Sequence, residues 1–327
     1  MRESFLELLV EPTTYAPLTL ERARREGDVI ESGALVSTAT GKTYPIVRGI
    51  PRFVSPSGYT DSFGLQWNRF REVQVDSTAQ TADSRRRFLD ETGWTRQDLD
   101  GRTVLDAGCG AGRFAEISAD LGARLVALDM SSAVEAAKKT LAPYLGAEVV
   151  QASLLDPPFR PGTFDYAYCI GVVQHTPAPP RAIRSVIRTV KPGGRWALTI
   201  YARRPWTKLN AKYLVRPITK RLPKRLLLKG IESSMPVVFP VTEAAFRIPI
   251  LGKVAEFAIP VANYVDRTDL SRERRYREAV LDTFDMLSPA FDSPMTWQEA
   301  DAAIRDAGAV SVDFRSKRPI VVRGRRG

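Results

Sequence analysis

The 327-residue sequence predicts an α/β chain with an open, parallel, doubly wound sheet at its centre. Short apolar runs alternate with helical patterns between residues 103 and 201, and the first run ends in a glycine turn that opens into a helix. A third observation is the acid Asp129, which closes the second run at the edge where such sheets bind ligands.

Three zones follow one another without a clear internal repeat. In residues 1–56, Leu35 to Ser37 and Tyr44 to Val47 read as short strands flanking the turn Ala39 to Lys42, and Gly49-Ile50-Pro51 ends the unit. Its few apolar residues make only a small core, so this zone is expected to lean on the larger one. Pro56-Ser57-Gly58 reads as a linker, and residues 57–100 as a helical lid leading into the core at 101–202. There, Thr103 to Ala107 is a strand, Gly112 to Leu121 a helix and Arg124 to Asp129 a strand. Ser131 to Leu145 follows as a helix, with Ser131 or Ser132 free to cap it. Glu148 to Ala152, Phe164 to Ile170 and Arg195 to Tyr201 are further strands. Arg181 to Val190 is a helix stopped by Lys191-Pro192-Gly193-Gly194. Residues 203–294 form a basic, mainly helical insertion interrupted by prolines. Residues 295–327 return as a helix, Thr296 to Ala307, and a hairpin, Val310 to Arg315 with Pro319 to Val322.

Composition narrows the class. With 44% hydrophobic and 26% charged residues the chain is neither disordered nor fibrous. Two cysteines, Cys109 and Cys169, make no disulfide framework and suit a reducing cytoplasm. Met1 to Phe5 lacks the pattern of a secretory signal, and Ile248 to Val265 carries Lys253, Glu256 and two prolines, so a soluble protein is expected. The net charge is +11, and ten Lys or Arg residues stand between Arg203 and Lys229 without one acid. Such a block fits either an anionic partner or a solvated helical face.

The glycine turn carries the chemistry. Gly108, Gly110 and Gly112 let the backbone approach a ligand where side chains would collide, and Asp129 on the next strand can accept hydrogen bonds from both hydroxyls of a ribose. The spacing Gly-Cys-Gly-Ala-Gly brings the third glycine one residue earlier than a dinucleotide turn does. Asp106 precedes the turn, where a carboxylate can organise the loop and face a cationic amino-acid moiety that a dinucleotide lacks.

Val104-Leu105-Asp106-Ala107-Gly108-Cys109-Gly110-Ala111-Gly112-Arg113-Phe114 resembles the first motif of class I S-adenosylmethionine-dependent methyltransferases. Leu125 to Ser131, Phe164-Asp165-Tyr166 and Val190 to Arg195 resemble later segments of that family in the same order, over about 100 residues. The resemblance implies a Rossmann-like seven-stranded sheet whose last two antiparallel strands are the final hairpin. It implies S-adenosylmethionine as cofactor, with Asp106, Gly108 and Gly110 at the methionine part, Asp129 at the ribose and Met130 on the adenine. Ala107, Cys109, Gly112, Leu154 and Ile170 complete the cofactor set. One position departs: where the family has an Asp after the third strand, this chain has Ser153 in Gln151-Ala152-Ser153-Leu154-Leu155, a weaker acceptor for the adenine amino group.

Leu8 to Leu18 together with Gly41 to Pro51 resembles the small zinc-ribbon domain that activates or accompanies some methyltransferases. Glu11, Thr14, Ser37 and Thr40 stand where that family has four cysteines, so a metal-free domain is expected.

Methyl transfer from a sulfonium requires alignment and exclusion of water, and a base where the nucleophile is a hydroxyl. His175, the only histidine, follows the fourth core strand in Gly171-Val172-Val173-Gln174-His175-Thr176. It reads either as that base or as a group that orients its loop. Phe63 to Phe70 reads as a helix over the cofactor, with Trp67 and Phe70 as core contacts and Gln66 as the ligand candidate. Leu281 to Pro289 and Tyr264 resemble the tails of methyltransferases from bacterial glycan and natural-product pathways, which makes Tyr264 and Asp285 substrate candidates. The leading reading is O- or N-methylation of a small molecule or sugar. Against it stand an RNA methyltransferase using the basic block, a non-catalytic cofactor-binding scaffold, and a basic face on an anionic membrane built on Leu222 and Leu226 to Leu228.

Overall fold

A computed structural model describes residues 1–54 and 59–327; the expected linker Pro56-Ser57-Gly58 lies outside the described residues. The chain opens with α1 (Glu3–Leu6) and an antiparallel sheet of β1 (Leu18–Glu26), β2 (Val29–Ser37), β3 (Thr43–Val47) and β4 (Ile50–Pro51), paired in that order. Leu35 pairs with Tyr44, as the turn at 39–42 requires. β1 was not expected, because most of its length is exposed on both faces and shows no alternation; Arg22, at φ 52, interrupts its register.

Four helices follow: α2 (Asp61–Gln74), α3 (Asp76–Ala79), α4 (Asp83–Thr92) and α5 (Arg96–Leu99). The core then alternates β5 (Thr103–Ala107), α6 (Ala115–Asp120), β6 (Arg124–Asp129), α7 (Val134–Leu141), β7 (Ala147–Gln151), β8 (Phe164–Ile170), α8 (Pro179–Thr189) and β9 (Val190–Ile200). α6 starts later than expected because Gly112 still has φ +87, outside helical space. α7 starts later because Ser131 is spent on Asp129 and on the Ala133 amide rather than on a helix cap. It stops before Pro143, which has no amide to donate.

α9 (Ala211–Thr219), α10 (Lys224–Phe246), α11 (Leu251–Ala258) and α12 (Arg272–Leu287) form the insertion. α13 (Trp297–Asp306), β10 (Ala309–Lys317) and β11 (Ile320–Arg326) close the chain. α13 begins at a capping box in which Thr296 and Glu299 bond each other's backbone amides, a device worth about 1 kcal/mol.

The central sheet has the order β10-β11-β9-β8-β5-β6-β7, parallel from β9 through β7 and antiparallel where β11 joins β9. The seven-stranded α/β architecture is therefore as expected. Direction of strand succession reverses at β5, which makes a crevice at its carboxyl end. Buried runs on β5, β6, β8 and β9 leave both faces to be covered by helices; α8 does so with Ala182, Ile183, Val186 and Ile187, all fully buried.

The N-terminal sheet shares one apolar cluster with the core. Phe5, Leu9, Ile30, Leu35 and Ile46 pack with Leu128, Val150 and Phe159, as a unit too small to fold alone requires. Its last strand runs on along the edge of β7: Arg52 bridges Gln151 in parallel, and the Phe53 amide donates to the Gln151 carbonyl at 2.8 Å. Glu11 and Thr14, expected at metal-ligand positions, bond to each other, and Tyr44 Oη donates to Glu11 Oε1 at 3.3 Å. Ser37 Oγ accepts the Thr40 amide at 3.3 Å. Among the described residues no group of His, Cys, Asp or Glu is placed to hold a metal ion.

Candidate functional site

Register builds the site. Ala107 pairs with Leu128, so the glycine turn leaves β5 level with the end of β6. The Gly108 and Cys109 amides donate to the Leu128 carbonyl at 2.7 and 2.9 Å, and the Gly110 amide donates to Asp129 Oδ2 at 2.9 Å. Asp129 Oδ1 accepts from the Ser131 amide and hydroxyl at 2.8 and 2.7 Å. One carboxylate thus pins both loops. Burial pushes its pKa up, and these hydrogen bonds oppose that shift.

Above the turn lies a cavity of about 970 Å³, lined by Gly108, Cys109, Gly110, Asp129, Met130, Leu154 and Ile170 from the sheet side. Gln66 and Trp67 of α2 roof it; Tyr264 and Asp285 come from the insertion, and His175 from the loop after β8. Eleven of the candidate residues therefore meet around one space, large enough for a nucleoside cofactor beside a small acceptor.

Four candidates do not reach it. Asp106 and Ala107 are buried in β5 behind the turn. Gly112 faces α7, where a Cβ would stand 3.3 Å from Thr140. Ser153 Oγ accepts the Leu155 amide at 3.2 Å and holds its own turn, while Leu154 presents to the cavity. The Asp106 carboxyl is held well above the usual carboxylate range by burial.

The glycines are required by close approach. At Gly108, φ +92, a Cβ would lie 2.6 Å from Val172; at Gly110, φ +53, it would lie 3.1 Å from Trp67 Nε1. Trp67 thus covers the turn and packs with Val75, Ala111 and Ala136. Gln66 is buried, its Nε2 donates to Asp285 Oδ1 at 3.0 Å, and its Oε1 is without a partner among the described residues. The narrow backbone cradle, the buried carboxylate beside it and the unpaired Gln66 oxygen fit a ligand with ribose hydroxyls and a cationic amino-acid end.

His175 is buried between Phe63 and Tyr201, at ring distances of 5.1 and 5.5 Å. Its Nδ1 lies 3.1 Å from the Phe291 carbonyl. A carbonyl only accepts, so Nδ1 is the donor in this contact, and whenever the ring is neutral Nε2 is its accepting nitrogen.

The insertion contributes more than sequence reasoning singled out. Arg274, Glu278, Asp282 and Asp285 recur at helical spacing on α12 and all line the cavity. That spacing was the available signal. Tyr264 Oη donates to Asp282 Oδ2. Burial, aided by Asp285 and Glu278, pushes the Asp282 carboxyl up to about 7. Arg113, from the glycine motif, also lines the cavity; its Nε donates to Ser84 Oγ at 2.8 Å and its Nη1 to Gln74 Oε1 at 3.0 Å.

Part of the basic block serves the fold. Buried Arg216 donates to the Met286 and Pro289 carbonyls, both at 2.9 Å, and Lys224 to that of Ser288 at 2.9 Å, where α12 ends and its dipole favours cations. Lys212 pairs with Asp292 and Arg203 with Glu299.

Residues 105–198 match the family model described as "Methyltransferase domain". The chain is similar to the ubiquinone biosynthesis O-methyltransferase of Pseudomonas paraeruginosa, 34% identical over 132 residues that cover 39% of this chain and 57% of the relative. The Xanthomonas euvesicatoria enzyme of the same name is 31% identical over 155 residues, 46% of this chain and 63% of the relative. The chain thus spans about three-fifths of the length of these relatives. Among solved structures, the Haloferax volcanii complex of a methyltransferase activator with a methyltransferase is 15% identical. That match covers 79% of this chain and 81% of the other, at a TM-score of 0.45. On the family match and the intact glycine motif, the chain carries a class I methyltransferase domain whose cofactor is S-adenosylmethionine.

Proposed function

We propose that this chain methylates a hydroxyl of a small molecule, with His175 accepting the hydroxyl proton. The observation that carries this reading is the Nδ1 bond of His175 to the Phe291 carbonyl, which reserves Nε2 as proton acceptor on a ring that lines the cavity. S-adenosylmethionine supplies an electrophilic methyl on a sulfonium. Asp129 holds the ribose, the Gly108 to Gly110 backbone faces the methionine part, and Met130, Leu154 and Ile170 form an apolar wall for the adenine. Gln66 meets the cofactor from above. Asp106, Ala107, Gly112 and Ser153 support the loops rather than touch the ligand. Tyr264, Asp282 and Asp285 orient the acceptor, and the aromatic rings around His175 keep water from the reacting atoms.

The names of the relatives support a small-molecule O-methyl acceptor and do not single out a glycan or natural product. Cys109 and Cys169 are free and buried, which suits the cytoplasmic setting we propose. The N-terminal unit is read as a metal-free relative of the zinc-ribbon domain, with Glu11 and its hydroxyl partners in the metal's place.

The test is release of S-adenosylhomocysteine across phenols, sugars and amines. A hydroxyl acceptor is expected, with kcat lowered about 10²-fold or more in His175→Ala and cofactor affinity kept. Full activity of that variant, or turnover of amines alone, contradicts the reading.

A further inference from the structure

Eighteen large apolar residues are exposed among the described residues, and eleven of them fall between Trp206 and Val254. Scattered exposure is ordinary; a concentration of this kind marks an interaction surface. On α10 the exposed face runs Leu226, Gly230, Ser233, Val237, Val241, Ala244 and on to Ile248, in steps of three and four, without one charge. A solvent-facing helix stripe is normally where charges collect. The opposite face of α10, with Leu227, Leu228, Met235 and Phe239, is buried against α12. Leu214 and Ile218 add a second exposed pair on α9, which also packs on α12, and Ile250, Leu251 and Val254 a third group at α11.

Charge on this surface is mostly positive. Arg204, Lys208, Lys220, Arg221, Arg225 and Lys229 have no carboxylate partner among the described residues. Of the three acids of α10 and α11, Glu232 pairs with Arg69 and Glu243 with Arg247, Arg272 and Arg275; Glu256, on the cavity wall, is exposed and is the one acid among them without an ion pair among the described residues. Of Leu222 and Leu226 to Leu228, which the sequence suggested for an apolar face, Leu226 is exposed and opens this stripe, whereas Leu222, Leu227 and Leu228 are wholly or partly buried. Among the described residues no helix is long and apolar enough to cross a membrane.

We infer that the outer face of α9, α10 and α11 docks on the surface of an anionic lipid bilayer. Aliphatic side chains enter the headgroup region and the unpaired cations meet lipid phosphates. Aromatic residues, which stacking on RNA bases needs, are nearly absent from this face, where Trp206 alone is largely exposed. Asn210 and Lys212 at the start of α9 and Glu256 of α11 line the cavity, so the docking face borders the mouth of the site.

Co-sedimentation of the full chain with phosphatidylcholine vesicles, with and without phosphatidylglycerol, tests this. Binding is expected to the mixed vesicles, at least about 10-fold stronger than to phosphatidylcholine alone. Lys220→Glu with Arg221→Glu, Arg225→Glu and Lys229→Glu should weaken it about 10-fold or more, and so should Val241→Asp with Leu251→Asp. Both variants should keep the melting temperature and cofactor affinity, since these side chains are outside the core and the site. Absence of wild-type binding, or undiminished binding by both variants, overturns the proposal. Equal binding to neutral vesicles, RNA binding in place of vesicle binding, or a dimer that Val241→Asp dissolves while vesicles leave the chain unbound would also overturn it.

Discussion

The Asp129 carboxylate accepts the Gly110 amide at 2.9 Å, so the acid at the end of β6 holds the glycine turn that leaves β5. Two segments separated in sequence are thereby locked at one height above the sheet, the height set by the pairing of Ala107 with Leu128. A preorganised cradle follows from this bond and from the close packing above it.

Gly108→Ala should abolish cofactor binding and destabilise the chain by about 1–3 kcal/mol, because the new Cβ meets Val172 at 2.6 Å. Adding Val172→Ala should restore part of the stability but not all, since φ +92 remains unfavourable for alanine. Thermal melting and calorimetry of the single and double variants give the comparison; equal stability of Gly108→Ala and wild type would contradict it.

A hydrogen-bonded chain links the N-terminal unit to the site. Arg52 Nη1 donates to Gln151 Oε1 at 2.6 Å, and Gln151 Nε2 donates to the Met130 carbonyl at 3.0 Å. Gln151→Ala should weaken S-adenosylmethionine binding about 3- to 10-fold, the worth of about one hydrogen bond, without unfolding the chain. Unchanged affinity by titration calorimetry would show that the N-terminal unit does not support the loop.

Asp282 gives a pH signature. Its folded-state carboxyl sits up near 7, above the unfolded value, so the folded chain binds the extra proton between about pH 4 and 7. Its contribution to stability is full below about pH 4 and is lost as pH rises through 7. Asp282→Asn should therefore raise the melting temperature relative to wild type more at pH 8 than at pH 5. A pH-independent difference would contradict the assignment.

Glu11 runs the other way. Hydrogen bonds from Thr14, Thr13 and Tyr44 hold its carboxyl below the usual range, so its stabilisation is present above the unfolded value and is lost as pH falls through the folded one. Glu11→Ala strands the buried Tyr44 hydroxyl and should cost about 1–3 kcal/mol at pH 7, with a smaller difference in acid. A chelator should leave the wild-type melting temperature unchanged.

How legible this was from sequence depended on range. β5, β6 and β8 begin and end at the expected residues, because buried strands between glycines and turns show short, mainly apolar runs. Asp129, Gly108 and Gly110 were legible because strand, turn and acid recur in fixed order. β1 was not, since a two-sided exposed strand has no alternation to read. Asp282 and the path from Arg52 to Met130 arise from contacts between residues far apart in the chain. Only the spacing along α12 hinted at the first, and nothing local at the second.

Titration calorimetry of S-adenosylmethionine into the full chain and into Asp129→Ala tests the central claim most directly. The wild type should bind with 1:1 stoichiometry. The variant, lacking both the ribose acceptor and the bond to Gly110, should bind about 100-fold more weakly or not at all. No binding by the wild type, or equal affinity in Asp129→Ala, would contradict the assignment of this cavity to the cofactor.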